Sequence, residues 1–156
     1  MTQVIGRAGR GEKPGRAVLQ TYTPFNPTLE AAVKQDYRTF YEDEIGIRRQ
    51  LGYPPFNNMI ALTVTGGNDN GTMRAAFEAR EILRAIVEAN RLKVKIVGPL
   101  QAYVLKVNGL FRYRLMLICK DERAVLRAVT GTIKQFNANK LLKQYSIYAD
   151  MNPNEF

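Results

Sequence analysis

YVLKVNGLFRYRLMLI, Tyr103 to Ile118, reads as a β-hairpin. Asn108-Gly109 is the strongest short turn signal, because both central positions of a two-residue hairpin turn need positive φ. On the returning run Phe111, Tyr113, Leu115 and Leu117 share one face, and Arg112, Arg114, Met116 and Ile118 share the other. Upstream, Val94 to Val97 is a short strand ended by Gly98-Pro99. Before it, residues 72–90 form a long amphipathic helix with Ala76, Ala79, Leu83, Ile86 and Val87 on one face and the pair Arg84 and Glu88 opposite. GGNDNG, Gly66 to Gly71, is a turn, and Met59 to Thr65 alternates with Ile60, Leu62 and Val64 facing one way. Downstream, Asp121 caps a helix with Val125, Leu126, Val129, Ile133 and Phe136 inward, and Tyr145 to Ala149 is a last strand.

The order over residues 57–156 is therefore β-α-β-β-α-β. Short connections predict a four-stranded, mostly antiparallel sheet with both helices on one face, an α+β domain of ferredoxin-like type. Ahead of it lies a helical linker, residues 26–56. Asn26 caps a helix that opens on Pro27, with Leu29, Ala32 and Val33 on one side. Asp36 caps a second helix whose stripe is Tyr37, Phe40, Glu44, Ile47 and Leu51, and Gly52 closes it in the left-handed conformation. LGYPPF, Leu51 to Phe56, then forbids any further helix. The first 25 residues hold GRGEKPGR, a polar loop from Gly9 to Arg16, and a run of strand character from Ala17 to Tyr22.

Composition narrows the function. With 46% hydrophobic and 24% charged residues over 156 positions, the chain reads as an ordinary globular protein. It has no apolar run near the roughly 20 residues that cross a bilayer, and no apolar core segment of a secretory signal in its first residues. Zero histidines remove the commonest zinc ligand, the commonest general base and any Ser-His-Asp triad. Cys119 is the one cysteine, so no internal disulfide forms. Net charge is +9, split as +3 over residues 1–22, −1 over 23–56 and +7 over 57–156. Such a surface suits nucleic acid or an acidic partner peptide, or serves only solubility. Glu42, Asp43 and Glu44 form an acidic cluster on the second linker helix, read as a solvated face because nothing nearby supplies an acid–base environment.

Three basic groups are candidate sites. Gln3-Val-Ile-Gly6-Arg7-Ala-Gly-Arg10 places two arginines three apart, planar forks suited to transferring phosphoryl oxygens, with glycines that let another surface approach. A basic tail is the plain alternative. The hairpin offers Lys106, Arg112 and Arg114 as a phosphate-contacting row, while alternation puts Phe111 and Tyr113 with the leucines in the core rather than on a base-stacking platform. Arg123 and Arg127, one turn apart on the last helix, are a smaller patch.

The eight-residue string beginning at Gln3 resembles motif VI of superfamily 2 helicases, in the form found in the PriA primosomal helicase family (primosomal protein N′, replication factor Y). Further segments resemble the C-terminus of that family in order along nearly the whole chain. They are Arg16-Ala-Val-Leu-Gln-Thr-Tyr, Asp36-Tyr-x-x-Phe-Tyr-Glu-Asp-Glu, Arg48-Arg-Gln-Leu-Gly-Tyr-Pro-Pro-Phe and Tyr148-Ala-Asp-Met-Asn-Pro. Ile5 and Met151 depart from it, where alanine and a shorter aliphatic residue are usual. The resemblance implies the C-terminal piece of an ATP-dependent 3′–5′ DNA helicase that restarts stalled replication forks. Residues 1–25 would be the motif VI helix and last strand of a RecA-like second helicase lobe, 26–56 the linker, and 57–156 the C-terminal domain. Arg7 and Arg10 would be the phosphate-facing, catalytic arginines, with Gln3 and Gly6 completing the nucleotide contact. ATP with magnesium, and zinc, would belong to the parent protein. This chain has no phosphate loop, no acidic metal box and no cysteine cluster, so alone it is expected to be inactive.

Implied partners are single-stranded and forked DNA, the other primosome proteins, the remainder of the helicase, and the acidic tail of single-stranded-DNA-binding protein, with Arg123 and Arg127 as candidates for that tail. The implied location is bacterial cytoplasm, at the nucleoid, with no membrane role. A free-standing nucleic-acid- or ribosome-associated protein on the same sheet is the alternative, and motif VI separates the two because such a protein has no reason to carry it. A metabolite-binding regulatory domain is disfavoured by the +7 of residues 57–156.

Overall fold

Asn26 and Asp36 start the two helices of the N-terminal region. The structure, a computed structural model, describes residues 18–153, and the chain divides into two compact units, 1–51 and 52–156. In helix α1, Pro27–Lys34, the Asn26 Oδ1 accepts from the backbone N–H groups of Thr28 and Leu29 at 2.9 and 3.4 Å. Helix α2, Tyr37–Leu51, begins where the Asp36 carboxylate accepts from the Thr39 backbone N–H at 3.0 Å and its hydroxyl at 2.7 Å. Those two bonds hold the Asp36 carboxyl below its ordinary value. Gly52 follows with φ +68°, the left-handed stop expected of it. In the acidic cluster Glu42 meets Arg38 at 2.9 Å on the solvated face expected, whereas Glu44 meets Arg48 at 2.7 Å in a half-buried i,i+4 pair.

The first 17 residues, including the motif VI string, lie outside the described residues. Val18 to Tyr22, the described part of the expected strand, is in no strand, and Val18 and Tyr22 are exposed. The physical reason is that a strand is held by ladder bonds, and among the described residues the four strands of the sheet pair only with one another.

In the second unit β1 is Asn58–Gly66, α3 Asp69–Ala89, β2 Val94–Val107, β3 Leu110–Cys119, α4 Glu122–Ala138 and β4 Ser146–Met151, with a 3-10 turn at Lys140–Leu142 before β4. The sheet order is β2-β3-β1-β4 and every neighbouring pair is antiparallel. That is the ferredoxin-like arrangement expected from the sequence. Ile60, Leu62 and Val64 of β1, Leu115 and Leu117 of β3, Leu83 of α3 and Val129 and Phe136 of α4 fill one core between sheet and helices. A second, smaller cluster lies on the opposite face, where Met59, Ala61 and Met116 are buried with Tyr53, Val97 and Ile118 against them. Tyr53 to Phe56, read from the sequence as the end of the linker, thus falls in the second unit.

Two elements run further than expected. Helix α3 starts inside GGNDNG because Asn68 caps it, its Oδ1 accepting from the Gly71 backbone N–H at 2.8 Å. Strand β2 continues through Gly98-Pro99, although that pair was expected to end it. Gly98 takes φ +102°, the register shifts between Val97 and Leu100, and Pro99 sits on an edge strand where its missing donor costs little. The terminal Asp-Met-Asn-Pro also has a structural role. The Asn152 backbone N–H donates to the Met59 carbonyl at 2.7 Å, and its Oδ1 accepts from the Met59 N–H at 3.0 Å.

Candidate nucleic-acid and docking surfaces

The hairpin does not present one basic row. Asn108 and Gly109 have φ +50° and +81°, so the turn is the two-residue type its sequence calls for, and it places Val107 opposite Leu110 and Lys106 opposite Phe111. Directly paired residues share a face. Lys106 therefore lies with Phe111 on the helix side, its Nζ 4.7 Å from the centre of the Phe111 ring. Arg112 and Arg114 point to the opposite side, as the partners of Thr65 and Thr63 on β1. Tyr113 is buried in the core as expected, and Phe111 is half-buried.

On the side away from the helices, Thr63 also pairs with Tyr148 on β4, which brings the Arg112 guanidinium to 3.4 Å from the Tyr148 hydroxyl. Sequence reading missed Thr63 and Tyr148, because only the strand order puts β1 between β3 and β4.

Arg123 and Arg127 are both exposed near the start of α4. Arg127 lines a cavity of about 370 Å³ between α3 and α4, floored by Ile86, Leu92 and Ala128. A second, of about 360 Å³, shares Leu92 and Ala124 with it and is edged by Arg91, Lys93 and Lys120. Together they form a groove with an apolar floor and a basic rim. Asp121 is the one carboxylate lining it, and it already accepts from the Ala124 backbone N–H at 3.0 Å. Arg123 lines neither cavity. Two of the three added cations come from the loop after α3 and the third from just beyond β3, so no local pattern joins them.

Among the described residues no three His, Cys, Asp or Glu side chains come together in a way that could hold a metal. Cys119 is buried, and burial, then Glu122 and Asp121, push its thiol pKa up, away from nucleophilic use. No helix among the described residues is long and apolar enough to cross a membrane.

Residues 49–154 match the family model of the primosomal protein N C-terminal domain. The chain belongs to that family. Relatives in the PriA family carry the likeness beyond the domain. The replication restart protein PriA of Bacillus subtilis is 31% identical over 153 residues, 98% of this chain and 19% of its own length. Those of Synechocystis and Thermotoga maritima are 36% and 30% identical over 75% and 92% of this chain, and 14% and 18% of their own lengths. The chain thus spans about a fifth or less of the PriA relatives it matches.

Proposed function

We propose that the chain is the C-terminal part of an ATP-dependent 3′–5′ DNA helicase that restarts stalled replication forks, acting in the bacterial cytoplasm at the nucleoid. The observation that carries this reading is the PriA likeness along 98% of the chain. In this role residues 1–25 end the second helicase lobe. Arg7 and Arg10 face the terminal phosphate of ATP beside Gln3 and Gly6, and a nucleotide with its magnesium is held mainly by parts of the parent protein that this chain lacks. The second unit is a binding and docking module. The basic rim of the groove between α3 and α4 suits an acidic tail, such as that of single-stranded-DNA-binding protein, with Arg127 nearer to it than Arg123. DNA, the other primosome proteins and the rest of the helicase complete the partners.

The test is ATP turnover. The 156-residue chain should hydrolyse no ATP with or without DNA, since two arginines supply only part of the transition-state stabilisation. In the full-length protein Arg10→Ala should lower turnover by on the order of 10³-fold and leave DNA binding nearly intact. Normal turnover by that variant overturns the reading.

A further inference from the structure

The side of the sheet away from the helices is divided in two. At the end of β1 near Met59, Tyr53 lies over Met59, Ala61 and Met116. Toward Thr65 the strands carry Thr63, Thr65, Arg112, Arg114 and Tyr148. Asp150 sits opposite Ala61, toward the covered half.

Within the second half the Thr63 side chain stands out. Thr63 is 1% exposed and its hydroxyl makes no hydrogen bond. A buried unpaired hydroxyl is costly and calls for an explanation. Its neighbours on either side are Arg114 and Tyr148, and the Arg112–Tyr148 contact at 3.4 Å is long. Guanidinium forks offer bidentate donors to phosphate. Tyr148 is 42% exposed and gives a ring on which a base can stack. Aromatic side chains on an open four-stranded sheet are a general means of seating single-stranded bases.

We propose that Thr63, Arg112, Arg114 and Tyr148 form a seat for the backbone of single-stranded nucleic acid. Two phosphates lie against the guanidinium groups, an oxygen of one of them accepts a hydrogen bond from the Thr63 hydroxyl as the Arg112–Tyr148 contact opens, and a base stacks on Tyr148. The four residues include no Asn or Gln to read base edges, so binding is indifferent to sequence. Lys106 takes no part, because it lies on the other side of the sheet. The proposal deepens the DNA-binding part of the function above and rests on it.

The experiment is fluorescence anisotropy of the whole chain with labelled oligo(dT) across a salt series. Two phosphate contacts give a slope of log affinity on log salt of roughly −1.4, at about −0.7 per contact. Arg112→Gln with Arg114→Gln should bring the slope toward zero. Arg112→Lys with Arg114→Lys, which keeps the charge, should retain most of it, and Lys106→Ala should leave it unchanged. Tyr148→Ala should weaken binding by roughly tenfold while Tyr148→Phe keeps most of it, the mark of stacking. Thr63→Val, of similar shape, should weaken binding a few-fold without lowering stability. An unchanged slope in the double glutamine variant overturns the proposal. So does loss of the slope in Arg123→Ala with Arg127→Ala, although DNA binding by this unit would then stand. Oligoglutamate binding as tightly as oligo(dT) would make the face a general anion surface and also overturn it. If the wild-type chain binds no oligo(dT), the DNA-binding reading of the unit fails along with its proposed seat.

Discussion

Tyr113 shows how one residue ties the sheet to a helix. Its ring is buried in the core, and its hydroxyl donates to Asp69 Oδ1, at the start of α3, across 2.6 Å. That bond, then burial, raises the Tyr113 pKa above the ordinary 10.0, with a hydrogen bond from Gln101 acting the other way. The sign of the pH dependence follows. Below pH 10 the phenol is neutral in both folded and unfolded chains, so its stabilisation is fully present. Above 10 the unfolded phenol ionises first, and the stabilisation is lost as pH climbs through the raised folded value. Tyr113→Phe should cost about 1.5–3 kcal/mol at neutral pH, the net worth of a hydrogen bond to a carboxylate. Urea unfolding of wild type and variant should show that gap narrowing above pH 10. A gap that stays constant would mean the hydroxyl is not the donor. Half of this pair was legible in the sequence. Alternation put Tyr113 inward, but Asp69 sat in a segment read as turn, and the contact spans 44 residues.

At the scale of the element, the hairpin and α3 divide what could be read from what could not. The turn at Asn108-Gly109 was legible because a two-residue turn has local causes. The same turn also fixes which residues oppose one another. Lys106 must face Phe111 and leave the side of Arg112, a consequence available from the sequence and overlooked by grouping cations along the chain. The extra residues of β2 between Gln101 and Lys106, which break its register against β3, carry no such local sign. The start of α3 was missed for a different reason. Gly66, Gly67 and Gly71 suggest a turn, while the deciding interaction is the bond from the Gly71 N–H to the Asn68 side chain. Asn68→Ala should therefore lower stability by about 1 kcal/mol, whereas Asn68→Asp or Asn68→Ser should be nearly neutral. Thermal unfolding of the three variants measures this. Equal losses in all three would show that Asn68 acts through something other than its cap. Packing reinforces the site, since a Cβ at Gly71 would lie against the Tyr145 hydroxyl and one at Gly66 against its ring. These glycines make room for a tyrosine far along the chain, which no turn rule reveals.

For the molecule as a whole, strand order made the candidate sites. The β-α-β-β-α-β sequence was legible because each element has its own periodicity and caps. The sites were not, because they combine residues from separate segments: Thr63, Arg112 and Tyr148 from three strands, and Arg91, Lys120 and Arg127 from a loop, the residue after a strand and a helix. The same reasoning locates where the folded unit begins. Reading from the Pro-Pro pair, the domain would start at Asn57. In the structure Tyr53 belongs with Met59, Ala61 and Met116, so a chain that begins at Asn57 leaves part of the sheet's second face bare. It also loses the Gly52 carbonyl, which accepts from the Asn57 side chain at 2.8 Å. A chain covering 52–156 should unfold in one cooperative transition, because its core is contained within those residues. A chain covering 57–156 should be less stable by about 1–2 kcal/mol, the worth of a partly buried tyrosine and a hydrogen bond. Tyr53→Ala in the longer chain should reproduce most of that loss, and Tyr53→Phe little of it. Chemical denaturation of the four proteins decides the matter. If the two truncations are equally stable, Tyr53 only lies on the sheet without holding it, and the unit begins where the sequence alone would place it.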